Sequence, residues 1–327
     1  MLAYWNYAPD GERAARICPL LGDISRPDFG IGIEGLAKLA GETTHIIHCA
    51  ASVKLNMTPA QAHSTAVLPT STVLNLGRRC AKTGALRKIE LISTVGVWGK
   101  TPGYMPERPV PQVREFHNSY EAAKSEAERL IWTEGDGLPI TLHRPSMVVG
   151  ESRSGRTKHF QIFYHLCEFL SGSRTFGIMP DLSQTSLDTI PVDWVADAIC
   201  WSSNHVETAG RIFHLCSGPS GAIALDKLQD RVRQTWSLHG RDLPKIRRVN
   251  RRLLEWMVPL LASFVGEKTG RALRGLPPVL AYLAEKQGFS NTETARLLSA
   301  AGLPIPPVMD YLDPVLDYYL VNRARHS

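Results

Sequence analysis

Several things are missing from this chain of 327 residues, and each absence removes a class of function. It has no run of about 18 or more uncharged apolar residues, the length a helix needs to cross a bilayer. Residues 1–16 carry neither the apolar stretch nor the small-residue cleavage pattern of a secretory signal, so a soluble, cytoplasmic protein is expected. Six cysteines, Cys18, Cys49, Cys80, Cys167, Cys200 and Cys216, are scattered with no C-x-x-C pair and no spacing suited to zinc. They are expected to be reduced thiols. His45, His48, His63, His117, His143, His159 and His165 form no H-E-x-x-H or other compact ligand motif, so no metal is expected. Ser93 and Ser146 lack the G-x-S-x-G elbow of a serine hydrolase. No aromatic-interleaved basic motif favours nucleic acid, and there are no repeats or low-complexity tracts.

What is present suits one large domain, or one domain with a smaller lobe: 43% of the residues are hydrophobic, enough for a sizeable core. The net charge of +6 is uneven, because Lys245, Arg247, Arg248, Arg251 and Arg252 fall within eight positions. Such a run is ordinarily a solvated helix face. The alternatives are contact with an acidic membrane surface, a phosphorylated substrate or an acidic carrier protein. The apolar segment 253–265 beside it reads as a buried lobe helix or, alternatively, as an interfacial segment that makes peripheral membrane contact and admits long acyl substrates.

From about residue 15 to 218, apolar runs at 44–51, 88–99, 139–150 and 211–218 alternate with helical stretches at 61–84, 119–135, 159–170 and 192–203. This order predicts an α/β fold, a doubly wound parallel sheet with helices on both faces, whose central runs are nearly continuously apolar because both faces are buried. After Gly218 no strong strand run appears, and helical stretches broken at Pro259, Pro277, Pro278 and 304–307 predict a helical lobe over 219–327. Ser290 and Glu293 have the spacing of a capping box opening a helix through Ala300.

The sharpest chemical pattern is Tyr120-Glu-Ala-Ala-Lys124. Positions i and i+4 share a helix face, so a phenol and an ammonium can converge on one point. A free phenol with a pKa of about 10 is a poor acid or base near neutrality. A neighbouring ammonium would lower that value, and a helix start at Asn118 with Glu121 would add the positive end of the helix dipole. The motif alone is common on ordinary helices. Here it follows Ile92-Ser93-Thr94-Val95, which puts hydroxyls at the carboxyl end of a strand, the edge where open α/β sheets gather ligands. Upstream, Leu21-Gly22-Asp23-Ile24 reads as a short strand and turn, with Asp23 able to accept from an adenine amino group. Small Ala50, Ala51 and Ser52 follow another strand. Downstream, Arg144-Pro145-Ser146-Met147-Val148 is a rigidified turn able to border a nicotinamide ring.

In order, GDI (22–24), HCAASV (48–53), STVGVWG (93–99), YEAAK (120–124), HRPSMVVGESRSG (143–155) and IPVDWVAD (190–197) resemble the extended short-chain dehydrogenases/reductases, especially the thioester reductase and fatty acyl reductase branch. The resemblance runs from about Leu21 to Gly218. It implies a Rossmann-like NAD(P)-binding domain over 1–218, with 219–327 on the substrate side. It implies a catalytic triad in which Tyr120 exchanges the proton, Thr94 holds the substrate oxygen and Lys124 binds the nicotinamide ribose. It places Asp23 and Ile24 at the adenine, and Ala50, Ala51, Ser52, Pro145, Ser146, Met147 and Val148 along an NADP or NAD cofactor. The superfamily resemblance also brings the expectation of a homodimer through helices flanking the site.

Three departures accompany the resemblance, one being that the basic or acidic residue after the family's second strand, which distinguishes NADP from NAD, is not located in the sequence. The family's opening strand and T-G-x-x-G-x-x-G turn, whose amides hold the pyrophosphate, is not in the sequence. The family's N-V-x-G-T segment is here Ala66-Val67-Leu68-Pro69-Thr70, without its Asn. Three readings follow: reduction of an acyl-CoA or carrier-bound acyl thioester, or a related carbonyl, to aldehyde or alcohol; action on a nucleotide-sugar or sterol-type carbinol; and a vestigial, non-catalytic protein.

Overall fold

The structure, a computed structural model, describes residues 8, 11–112, 115–182, 185–250 and 287–323. The apolar segment 253–265, Arg251, Arg252 and the breaks at Pro259, Pro277 and Pro278 lie outside the described residues. The expected parallel sheet is there. Its four strands lie in the spatial order His45–His48, Lys88–Ile92, Ile140–Pro145, Ile212–Leu215, all parallel, with His48 opposite Leu91, Ile92 opposite His143 and Pro145 opposite Leu215. On one face Val73, Leu74 and Ile131, from helices Pro59–Lys82 and Ser119–Glu134, pack on Ile89, Leu91, Leu142 and Ile212. On the other, Trp194, Val195 and Ala198 of helix Val192–Ser203 cover Phe213 and Leu215. This is the doubly wound, Rossmann-like arrangement, and it sets every strand's carboxyl end at one edge.

Local chemistry places both helices that carry the site. Thr58 closes a reciprocal capping box with Gln61 (3.0 and 3.3 Å), and Pro59 needs no hydrogen-bond partner in the first turn. Asn118 accepts from the Glu121 amide at 3.0 Å and starts the Tyr/Lys helix one residue before Tyr120, as the spacing predicts. The two helices meet through small side chains, Ala62 and Ala66 against Ala123 and Ala127, which draws their backbones together. Ala66 and Pro69, in the segment that departs from the family pattern, are both buried within the long helix.

Three expectations need correction. Among the described residues no strand precedes Asp23: residues 17–23 form no regular element, and the sheet ends at His45–His48, whose Ile47 is 48% exposed. The central strands are not continuously apolar, because Lys88, Glu90, Thr141, His143, Arg144 and His214 are all fully buried. They pair among themselves and their neighbours: Glu90 with Lys88 (3.4 Å) and His143 (2.6 Å), and Arg144 with Glu128. Buried charge is tolerated only when matched in this way. Finally, helix Thr292–Ala300 is not opened by a Ser290/Glu293 box. The Glu107 carboxylate, far away in sequence, accepts from the amides of Glu293 (2.9 Å) and Thr294 (3.2 Å).

Beyond Gly218 the helices Leu225–Leu238, Thr292–Ala300 and Val308–Asn322 are joined by short strands that the sequence pattern missed. Ile223–Ala224 pairs with Ser186–Leu187, Arg247–Val249 with Ile178–Pro180, and Gln287–Phe289 with Gly103–Met105. Two or three residues are too few to show an alternating pattern. A second core draws on both sides of Gly218, with Phe163, Tyr164 and Leu170 packed among Leu228, Trp236, Tyr311 and Leu316. Gly155 makes the closest approach there: its φ is +67°, and a Cβ would collide with the Pro314 carbonyl oxygen of the last helix.

Candidate active site

The strand Lys88–Ile92 delivers Thr94 to the sheet's carboxyl edge, where its hydroxyl caps the turn Val95–Trp98 by accepting from the Gly96 amide at 3.2 Å. Tyr120 arrives there from the first turn of its helix, half-buried, with its phenol beside the Thr94 hydroxyl. One turn on, Lys124 is 92% buried, with Nζ donating to the Ile92 carbonyl oxygen at 2.8 Å. Thr94, Tyr120 and Lys124 are thus brought together as the spacing predicts.

Their electrostatics differ from the sequence expectation. Burial pushes the Tyr120 phenol up to about 12; the Thr94 hydroxyl opposes the shift and the Glu121 charge adds to it. Burial pulls Lys124 down to about 8, against the favourable charge of Glu128. The phenol is therefore not made acidic by its neighbour. Desolvation of the phenol is the largest cause of the shift, and the Glu121 charge acts in the same direction. A phenol with so high a pKa stays protonated at neutral pH and can act as a proton donor.

Around this centre the other strand ends converge. His48, held neutral by burial and by the Lys124 charge with its pKa lowered to about 4, precedes the loop of Ala50, Ala51 and Ser52. Pro145 closes its strand, Ser146 donates its amide to the Leu215 carbonyl at 3.0 Å, and Met147 and Val148 run parallel to Thr189 and Ile190. Asp23 and Ile24 are not brought into this group. The Asp23 carboxylate is exposed and taken up by its own turn, accepting from the Ser25 amide (2.9 Å) and hydroxyl (2.6 Å), bonds that lower its pKa.

Beside the centre opens a cavity of about 480 Å3, lined among others by Val95, Tyr104, His117, Met147, Asp188 and Phe289. Its size and its mixed polar and apolar walls suit a small organic ligand. Asp188 ties its floor together by accepting from the Ser217 (2.8 Å) and Gly218 (2.9 Å) amides, while burial raises the carboxyl's pKa.

Sequence reasoning missed two further features. Arg144, fully buried, makes a bidentate pair with Glu128 (2.9 and 2.6 Å), one turn beyond Lys124 on the same helix. Its other side donates to His214 Nε2 at 3.2 Å, while His214 Nδ1 donates to the Ser290 carbonyl at 2.8 Å; together these fix the imidazole as the neutral Nδ1–H tautomer. Burial and the Arg144 charge lower the His214 pKa to about 3. The second feature is the pairing of His117 Nδ1 with the Glu121 carboxylate at 2.9 Å, where sequence alone gives Glu121 only a role at the helix start. The Arg144 pairing carries no local sequence signal, since its partners come from separate elements, whereas the i,i+4 spacing of His117 and Glu121 is a local signal that could have found the second.

The residues fit the nicotinamide end of a dinucleotide. They offer a buried amine, the buried Ser93 hydroxyl with no hydrogen-bond partner among the described residues, and small side chains on the adjoining loop. No glycine-rich phosphate turn occurs among the described residues. Nor does any group of three or more potential metal ligands, or any helix long and apolar enough to cross a membrane.

Residues 3–199 match the family model described as Male sterility protein. The chain is 28% identical over 221 residues to the glycine betaine reductase of Emericella nidulans, covering 65% of this chain and 16% of that protein. It is 26% identical over 278 residues to an aldehyde reductase of Aspergillus flavus, covering 81% of this chain and 25% of that one. The chain thus spans a quarter or less of these relatives' length. Among solved structures it superposes on the terminal R domain of the myxalamid PKS-NRPS pathway with a TM-score of 0.82 at 24% identity, over 98% of this chain and 79% of that domain. RMD from Pseudomonas aeruginosa, solved with NADPH, gives a TM-score of 0.58 at 18% identity over 91% and 87% of the two chains. These likenesses establish a shared fold.

Proposed function

The chain belongs to the Male sterility protein family, thioester reductase-like extended short-chain dehydrogenases/reductases that are NAD(P)-dependent reductases, and on that premise we propose that it reduces an acyl thioester, carried on CoA or a carrier protein, to an aldehyde or alcohol with NADPH. The observation that carries the reading is Tyr120, kept protonated by burial beside the Thr94 hydroxyl, at a centre that adjoins a cavity of mixed polar and apolar lining through Val95. When bound, the reduced nicotinamide supplies the hydride. Lys124 would hold its ribose, with Ala50 to Ser52 and Pro145 to Val148 beside it. Thr94 holds the acyl oxygen and Tyr120 gives that oxygen its proton as negative charge develops there. Residues 1–218 form the cofactor side of this site in the proposal. The substrate side draws on 219–327, from which Pro219, Ala222 and Phe289 reach the cavity wall.

A substrate panel tests the reading. Oxidation of NADPH should be supported by acyl-CoA and acyl-pantetheine thioesters and by the matching aldehydes, and not by nucleotide sugars or sterols. Turnover of nucleotide sugars alone would overturn it in favour of carbinol chemistry. Failure of calorimetry to detect binding of either nicotinamide nucleotide would favour a non-catalytic protein.

A further inference from the structure

Thioester reduction must expel a thiolate as well as protonate an oxygen, and Tyr120 serves only the oxygen. We propose that His117, held by Glu121, is the acid that protonates the departing sulfur. This rests on the thioester reading above.

The geometry sets His117 apart from the other histidines. It lines the cavity, two residues before the Tyr/Lys helix begins, so acid and phenol come from one helix start. Its side chain is 9% exposed and that of Glu121 4%. The Glu121 carboxylate accepts from both the His117 Nδ1 (2.9 Å) and its backbone amide (3.1 Å), which fixes ring and main chain together. Room for that carboxylate comes from the turn after Thr94. A Cβ on Gly96 would stand 3.1 Å from the Glu121 Cγ and 3.3 Å from its Oε1. A buried carboxylate on Nδ1 stabilises the imidazolium and directs proton donation through Nε2. In this dyad the carboxylate orients the ring.

The balance closes. The acyl carbon gains a hydride from the dihydronicotinamide and the acyl oxygen gains the Tyr120 proton, giving a hemithioacetal. In its collapse the C–S bond breaks, the oxygen's proton returns to Tyr120 as the C=O bond forms, and the His117 proton goes to sulfur. Water then reprotonates His117. One thioester, one dihydronicotinamide and one proton become one aldehyde, one thiol and one oxidised nicotinamide. An aldehyde substrate has no leaving group, so its reduction needs Tyr120 and not His117.

The test compares the two half-reactions in His117→Gln and Glu121→Gln. General acids typically contribute about 10²- to 10⁴-fold, so thioester reduction by His117→Gln should fall at least about 100-fold in kcat while reduction of the matching aldehyde changes by less than about threefold. Thioesters of strongly acidic aryl thiols, which leave unprotonated, should restore much of the loss. NADPH affinity measured by calorimetry should be unchanged. In the unaltered protein a solvent deuterium isotope effect on thiol release should exceed that on aldehyde reduction, a readout that does not depend on any variant folding. Equal losses on thioester and aldehyde, no rescue by acidic thiols, or equal isotope effects would overturn the role of His117 and leave the reductase reading standing. A protein that reduces aldehydes but no thioester would overturn both.

Discussion

The amine of Lys124 lies 2.8 Å from the carbonyl oxygen of Ile92, so the helix that carries Tyr120 is tied at its second turn to the strand that delivers Thr94. That single bond links the two elements whose ends must meet for proton transfer. It leaves the ammonium in a site dry enough to pull its pKa to about 8.

The first consequence concerns Tyr120. In Tyr120→Phe the proton donor and its contact with the Thr94 hydroxyl are lost while the ring is kept. Steady-state thioester and aldehyde reduction should both fall about 10²- to 10⁴-fold, with NADPH binding retained by calorimetry. Unchanged turnover would remove Tyr120 from the chemistry.

A second expectation follows from Lys124. Only its protonated form favours the phenolate that Tyr120 becomes as it gives up its proton. The ammonium is present below about 8 and lost above it. Reductase activity should therefore decline as pH rises through about 8, in a profile of kcat/KM against pH. Glu128 favours the charged amine, so Glu128→Gln should move that decline to lower pH. A profile flat to pH 10 would show that the amine's charge is not used.

Stability should depend strongly on the Arg144–Glu128 pair. Removing one partner strands a buried charge, which typically costs about 3–5 kcal/mol. Glu128→Gln and Arg144→Met should each show that loss in urea unfolding, and the double variant should be less destabilised than the sum of the two. Additive losses would mean that the pair is not coupled.

Acid sensitivity should trace to His214. Its folded pKa of about 3 lies below the usual 6.5. The neutral form is thus favoured by folding, and the stabilisation, complete above about 6.5, is lost as pH falls toward 3. His48, lowered to about 4, adds to the same slope. Replacing His214 with Gln should flatten the decline in Tm between pH 6.5 and 4, provided the Arg144 contact is kept by the amide oxygen.

Gly155→Ala should be severely destabilising, by about 3 kcal/mol or more, since it adds a clash with the last helix to a left-handed backbone. A Tm within a few degrees of the original would show that the helix can move aside at little cost.

The sequence by itself determined the class of fold and the three central residues of the candidate site. Alternating apolar runs and helical stretches specify a parallel sheet through local periodicity. An i,i+4 pair such as Tyr120 and Lys124 needs only a helix to share a face, and the Asn118 cap is equally local. What the sequence could not determine is anything that depends on partners distant along the chain. The burial of Lys88 and Glu90, the seating of Arg144 between Glu128 and His214, and the capping of a C-terminal helix by Glu107 all join separate elements. The sign of the Tyr120 shift belongs here too. Proximity to an ammonium suggests an acidic phenol, but desolvation depends on how far three-dimensional packing excludes water, and in this fold it raises the phenol's pKa with the Glu121 charge adding to the rise.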